Sequence, residues 1–387
     1  MVLRREKRKR IKRQSDKILG ILFISCLFII MILNLMTKDK KISEEENRTL
    51  TEKPRCTWDS VLGGIYMQQY ESYISDQFAG RNLWRGFSAA LERIGGSREE
   101  NGVFLGKKKQ LMEEIALPEE ETLKKNIDSI NGFAKRYEDM QARLLLIPDS
   151  AEILKSSLPA FASTQEQSVM LDDVRDRLSK TVQWIDGRAV MSEHADEKIY
   201  YKTDHHWTSL GAYYMYLASA SELGIEEDRV NTSYHRYPVT AKFNGMLAST
   251  SGFCLSEKEE IEVYVPEEEV AVLVNYVDEQ KKRTSLYDVS KLKTKDKYAV
   301  FLGGNSSVID IKTTSESGKT LLLIKDSFAN SFVPFLIPHY KEIVLVDPRY
   351  YAGTIDDIMS TYQITDTLFL YSGNTFFQDN NISGVLE

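Results

Sequence analysis

Hydrophobic positions fall into three regimes along this chain. Residues 18–36 form one stretch of 19 residues without a formal charge, long enough as a helix to cross a hydrocarbon core of ~30 Å. Between residues 59 and 95 apolar side chains return every three or four positions: Leu62, Ile65, Tyr66, Tyr70, Tyr73 and Ile74, then Trp84, Phe87, Leu91 and Ile94. That spacing predicts amphipathic helices, broken near Gly80. Their expected role is packing on the folded domain; a membrane-surface role so near the anchor is the alternative, against which their polar faces are mixed in sign rather than basic. Beyond residue 100, short apolar runs alternate with helical patterns.

The third regime reads as α/β. Asn101 to Gly106 predicts a strand running into a glycine turn. Residues 118–140 predict a helix with proline near its start, three glutamates in its first turn, and Leu123, Ile127, Ile130, Phe133 and Tyr137 on one face. Residues 143–148 are a short unbroken apolar run, the pattern of a buried parallel strand. A further helix is expected around 167–183. Thr208 or Ser209 can cap a helix with Leu210, Tyr213, Tyr214, Leu217 and Leu223 on its apolar face, closed by Gly224. Residues 225–318 change character: stretches such as 261–265 and 270–274 predict antiparallel strands between charged turns, a β-rich insertion. The α/β pattern then resumes with apolar runs at 320–324, 342–346 and 366–370. Each ends in polar residues, which describes a parallel sheet with functional groups at its C-terminal edge.

Charge divides the chain unevenly. The net charge is −7, yet residues 1–17 carry +7, so the remainder carries −14. A nucleic-acid binder needs its positive charge on the folded domain, and this domain is acidic. Basic residues before the apolar stretch predict a cytoplasmic tail, an uncleaved membrane anchor and an external domain. A cleaved signal peptide would need small residues at its end, and Asn34-Leu-Met-Thr-Lys supplies no such site. Of the three cysteines, Cys26 lies in the span. Cys56 and Cys254 are too widely spaced to define a disulfide framework, so their pairing stays open. The 20 tyrosines and 16 phenylalanines fit an aromatic-rich core or sugar-facing grooves.

Two loops carry candidate chemistry. Ser327 follows an apolar strand at a strand-to-helix turn, where helix N-terminal amides can stabilise a negative oxygen. An alcohol needs a base within hydrogen-bond reach, histidine is the usual one, and an acid fixes its tautomer. Asp204 and His206 can supply that pair; the alternative is an N-cap at Ser327 and packing histidines beside Trp207. Asp204-His205-His206 can also be read as a metal cluster, but that needs two or more further ligands, and no accompanying motif provides them.

The motif Thr203-Asp-His-His-Trp-Thr208, followed by Gly211-Ala-Tyr-Tyr, resembles the signature of the bacterial DHHW protein family. That family in turn looks like the permuted SGNH-hydrolase-like domains of alginate O-acetylation proteins. Glu46-Asn47-Arg48, Asp76-Gln77-Phe78 with Arg81, Asn101-Gly102-Val103 with Gly106, Asp326-Ser327-Phe328 and Asp347-x-Arg349-Tyr350-Tyr351 agree. The resemblance implies a three-layer α/β/α domain with a parallel sheet over 59–387 (β-rich insertion at 225–318), after a tail at 1–17, an anchor at 18–36 and a linker at 37–58. It implies Asp204 as orienter, His206 as base and Ser327 as nucleophile, with His205 on a variable position. Arg349, Tyr371 and Asn374 at strand ends, with His205 and Trp207, are candidates for substrate or oxyanion contacts. Ile147-Pro-Asp149-Ser150 departs from the Pro-Ser-Lys pattern of the wider group, which puts contacts near that loop in doubt. The implied activity is O-acetyl transfer to a cell-surface polysaccharide, without a cofactor or metal, served by a multi-pass membrane acyltransferase partner. A deacetylating esterase with the same triad, or a polysaccharide-binding scaffold, are the alternatives.

Overall fold

The structure is a computed structural model and describes the chain except residues 1, 44–47, 227–229, 231 and 254–257. Glu46 and Asn47 of the matched motif, and Cys254 of the open Cys56–Cys254 pairing, lie outside the described residues. Two compact units result, Met1–Leu91 and Glu92–Glu387.

The first unit is helical. Helix α1 (Val2–Met36) contains Gln14–Met36, a 23-residue segment long and apolar enough to cross a membrane. Helices α2 (Trp58–Leu62), α3 (Ile65–Gln77) and α4 (Arg81–Ile94) follow. The break before α4 comes where expected, at Gly80, whose φ of 70° suits a residue without Cβ. Helices α2 and α3 bury no residue. Instead, polar side chains tie the segment after α1 to α3: Gln77 Nε2 donates to Lys40 O and Thr51 O (2.9 and 3.1 Å), and Thr51 N–H donates to Asp76 Oδ2 (2.9 Å).

The second unit is built on an eight-stranded sheet. In chain order the strands are β1 (Gln141–Ile147), β2 (Val182–Asp186), β3 (Val272–Tyr276), β4 (Lys281–Arg283), β5 (Val308–Thr313), β6 (Thr320–Lys325), β7 (Glu342–Val346) and β8 (Asp366–Ser372), in spatial order β4-β3-β5-β7-β6-β8-β1-β2. The five strands from β7 to β2 are parallel, and β3, β4 and β5 add an antiparallel edge. The fold is therefore mixed α/β with a mostly parallel sheet.

Alternation along the strands explains the layers. Leu321, Leu323, Leu368, Leu370, Leu145 and Ile147 face one core with Ala212, Met215 and Phe335. Their neighbours Leu322, Ile324, Phe369, Leu144 and Leu146 face the other, with Leu123, Ile127, Ile130 and Val174. Successive strand residues point to opposite faces, so continuous apolar runs are what a sheet covered on both sides demands.

Two sequence expectations need correction. The 225–318 region is not one insertion: Tyr234–Phe243 pairs with Glu259–Pro266 as a separate hairpin, while β3, β4 and β5 extend the central sheet. Val274, Ile309 and Ile311 bury their side chains in the same core as the parallel strands, which is what holds them there. The helix Ser209–Ser219 also turns a different face inward. Its buried residues are Ser209, Gly211, Ala212, Met215, Tyr216 and Ser219; of the expected face, Leu217 is exposed, Tyr213 and Tyr214 pack half-buried on the core, and Leu223, beyond the helix end, is buried. A Cβ on Gly211 would stand 2.5 Å from Ile199 O, so close backbone approach, rather than side-chain bulk, chooses the face.

Candidate functional site

Strand β6 lies between β7 and β8, and the chain crosses it when passing from β7 to β8. Such a crossing opens a crevice at the C-terminal strand ends, where ligands bind in open α/β sheets. Asp326 closes the gap between the two strands. Its N–H donates to Leu370 O (3.2 Å), and its Oδ2 accepts from Ser372 N–H (2.9 Å). Ser327 follows on a five-residue 3₁₀ turn, Ser327–Ser331, instead of the expected α-helix. Asp326 also takes up the first amides of that turn, Phe328 N–H on Oδ1 (2.9 Å) and Ala329 N–H on its carbonyl (3.3 Å). Those two amides are thus committed, contrary to the expectation that the turn offers them to an oxyanion.

The histidine loop arrives from the other side. Ile199 to Thr208 doubles back on itself: Thr208 N–H donates to Ile199 O (2.8 Å) and Tyr201 N–H to His206 O (3.2 Å). Thr208 then caps the following helix through Gly211 N–H (3.3 Å). Glu259 clamps the turn by accepting from Lys202 N–H (2.8 Å) and from Thr203 N–H and Oγ1 (2.7 and 2.6 Å).

The three candidate side chains form one hydrogen-bonded line. His206 Nδ1 is 2.5 Å from Asp204 Oδ1, and His206 Nε2 is 2.7 Å from Ser327 Oγ. Asp204 Oδ2 accepts from Met246 N–H (2.8 Å), which fixes the carboxylate's other oxygen. With Nδ1–H donated to Asp204, Nε2 is the lone-pair nitrogen facing the serine hydroxyl. Burial raises the Asp204 carboxyl, but the charges of His206 and His205, with the hydrogen bonds from His206 and Met246 N–H, hold it well below the usual range. Burial and then the charge of His205 lower His206 to about 4, against the opposing pull of Asp204. At neutral pH the imidazole is therefore an uncharged base beside an ionised acid, the state that proton abstraction from an alcohol needs.

Trp207 is fully buried, and its Nε1–H donates to Phe328 O (3.0 Å). It braces the Ser327 turn instead of facing a substrate. His205 keeps 28% of its side chain exposed, its ring 4.0 Å from that of His206. Burial lowers it, but Asp204, Glu113, Asp149 and Asp326 together raise it above the ordinary histidine value.

The remaining candidates do not converge on Ser327. Tyr371 is fully buried in the opposite core, its hydroxyl without a partner among the described residues. Strand alternation sends it to that face. Arg349 is spent on Asp347, Nε to Oδ1 (2.8 Å) and Nη2 to Oδ2 (2.7 Å). Asp347 also holds the fully buried Lys325 (3.3 Å), whose Nζ donates to Asn330 Oδ1 (3.0 Å). Asn374 holds a loop, accepting from Ala116 N–H (3.0 Å) and donating to Glu114 O (2.8 Å). Its own N–H donates to Asp149 Oδ2 (2.7 Å). Burial lifts Asp149 to about 7 against hydrogen bonds from Gln167 and Asn374 N–H. Asp149, in the loop that departs from the wider pattern, is thus a structural anchor of that strand end. Asp204, His205 and His206 offer ligand atoms within 4.8 Å of one another. Both His206 nitrogens and both Asp204 oxygens are already engaged in the line and its support.

Two contributors carry no motif. Tyr298 stacks on His206 with ring centroids 3.8 Å apart, and its hydroxyl reaches Ser331 Oγ (3.0 Å) and Ser327 O (3.3 Å). Gly245 admits Asp204: a Cβ there would stand 2.3 Å from Asp204 Cβ. Glycine before a helix start was the available signal for Gly245; for Tyr298 there was none.

With this geometry in place, the motif can be compared with known proteins. The family pattern described as "DHHW protein" matches residues 145–346. That is more than half of the chain, and it includes both loops.

The chain belongs to the DHHW family.

Solved structures agree on the fold. A DHHW-family protein from Eubacterium siraeum is 21% identical at a TM-score of 0.62, covering 74% of this chain and 95% of its own. PatB1 from Bacillus cereus, solved with a sulfonyl adduct, is 20% identical at a TM-score of 0.59, covering 73% and 97%. The O-acetyltransferase domain of Pseudomonas putida AlgJ is 13% identical at a TM-score of 0.47, covering 73% and 95%. Curated proteins give no match. At these identities the likeness of this DHHW protein to the Eubacterium siraeum and Bacillus cereus structures is one of fold.

Proposed function

We propose that this DHHW protein is a membrane-anchored, extracytoplasmic O-acetyltransferase acting on a cell-surface polysaccharide, on an SGNH-like domain, with Ser327 as nucleophile. The observation that carries the reading is the line Asp204–His206–Ser327, with 2.5 and 2.7 Å between its members. Ser327 Oγ bonds the acetyl carbonyl carbon while His206 Nε2 takes its proton, and the donor's leaving oxygen departs with that proton. A sugar hydroxyl then gives its proton to His206 as its oxygen attacks the acetyl-serine. Ser327 Oγ leaves and recovers the proton, so the acetyl group has moved and the enzyme is restored. Asp204 holds the tautomer and offsets the imidazolium.

The basic residues of α1 that precede its apolar stretch support a cytoplasmic N-terminus and an external domain. A multi-pass acyltransferase partner supplies the acetyl group in this reading. Ser327→Ala should lower acetyl-ester hydrolysis by the purified protein ~10³-fold or more and lower the O-acetyl content of the surface polysaccharide. A rise in surface acetyl content instead marks a deacetylase using the same line. Unchanged hydrolysis and unchanged content would reduce the protein to a scaffold.

A further inference from the structure

Helix α4 begins where α1 ends. Asn34, near the C-terminal end of the apolar helix, caps Ile30 O through Nδ2 (2.9 Å), and its Oδ1 accepts from Ala79 N–H (2.8 Å). Ala79 lies two residues before the start of α4 at Arg81. Tyr73 OH to Asp39 (3.0 Å) and Lys40 N–H to Gln77 Oε1 (2.9 Å) tie the same two levels together. If α1 spans a bilayer, the first turn of α4 is therefore held at the outer boundary of the hydrocarbon.

The α4 residues within the first unit present an apolar face. Leu83, Trp84, Phe87 and Leu91 fall within one ~100° arc at 3.6 residues per turn, and all four are exposed, Leu83 by 81% and Phe87 by 58%. A large exposed apolar face on a folded unit marks a surface that meets something apolar. The opposite side carries Arg81 and Arg85 without an acid between residues 81 and 91. Lys38, Lys40, Lys41 and Arg81 line one cleft with Leu83 and with Asp76, which pairs with Arg81 (3.8 Å). An apolar arc with tryptophan, arginine opposite and lysines at the same level is the arrangement of an interfacial helix on an anionic membrane.

We infer that α4, over residues 81–91, lies in the outer interface of the bilayer that α1 spans, with Leu83, Trp84, Phe87 and Leu91 in the acyl boundary and the basic cleft on lipid phosphates. The mixed signs averaged over residues 59–95 conceal a helix that is basic when taken alone. The inference rests on the anchor proposed above, and its test separates the two. The full-length chain, with Cys26, Cys56 and Cys254 replaced by serine, is reconstituted into vesicles of phosphatidylethanolamine and phosphatidylglycerol. Single cysteines at Leu83→Cys, Arg85→Cys, Phe87→Cys, Ser88→Cys and Leu91→Cys, with Phe28→Cys as the anchor control, carry a nitroxide. Its collisions with oxygen and with a water-soluble nickel chelate are compared. Oxygen should dominate at 28, 83, 87 and 91, and the preference should reverse at 85 and 88. Nickel dominating at 83 and 87 with position 28 in lipid would overturn this inference and leave the anchor. Shielding of 83 and 87 from both reagents would also overturn it, since protein then covers the face. Nickel dominating at 28 would overturn both.

Discussion

His205 and His206 are neighbours in sequence with opposite electrostatic fates. His206 is lowered from 6.5 to about 4, by burial first and by the charge of His205 second. Catalysis needs His206 neutral, so its rate rises with pH through the His206 value and is flat above it. Ester hydrolysis should therefore persist as pH falls through 6.5 and be lost only near pH 4. Replacing His205 by Gln removes the second lowering influence, and the acid limb of the pH–rate profile should move up towards the ordinary histidine value. An unmoved limb in the His205→Gln chain would show that His205 does not tune the base. The Asp-x-His spacing made the hydrogen bond between Asp204 and His206 legible in the sequence, because a carboxylate two residues from a histidine can reach it locally. The neighbouring charge of His205 depends on Glu113, Asp149 and Asp326, which come from other segments, so no local pattern announces it.

At the level of elements, the site is a meeting of two turns, each held by partners that do no chemistry. Asp326 staples β6 to β8 beneath Ser327, Trp207 grips Phe328 O, Tyr298 backs the imidazole, and Glu259 clamps the loop before Asp204. Gly245 is the tightest of these supports, because any side chain there meets Asp204 at 2.3 Å. Gly245→Ala should push Asp204 off its hydrogen bond to His206 and lower kcat by ~10²-fold, the scale of a 1 Å misplacement, while KM stays near its original value. Circular dichroism melting checks that the fold survives; unchanged kcat would mean the loop absorbs the methyl group. The parallel strands were readable because apolar runs flanked by helical patterns belong to sheets covered on both faces. The antiparallel edge was not, since β3 and β5 find their places through pairing with distant strands, a register that alternation within each strand leaves open. Tyr371 was misread for a related reason. Standing at a strand end names a level in the sheet but not a face.

Over the whole molecule, two units divide the work. Glu92–Glu387 holds the candidate chemistry, and Met1–Leu91 holds the apolar helix and the amphipathic segment beside it. The charge split of +7 in the first 17 residues against −14 in the rest was visible from composition, and it orients the proposed anchor. The membrane role of α4 was hidden because averaging over three helices cancelled its charge. The central claim, that Ser327 is a nucleophile activated by His206, has one direct measurement: the mass of the Ser327 peptide after the protein reacts with an aryl sulfonyl fluoride. The account predicts one stoichiometric adduct on Ser327, lost in the His206→Ala chain. An unmodified Ser327, or one modified equally without His206, would contradict it.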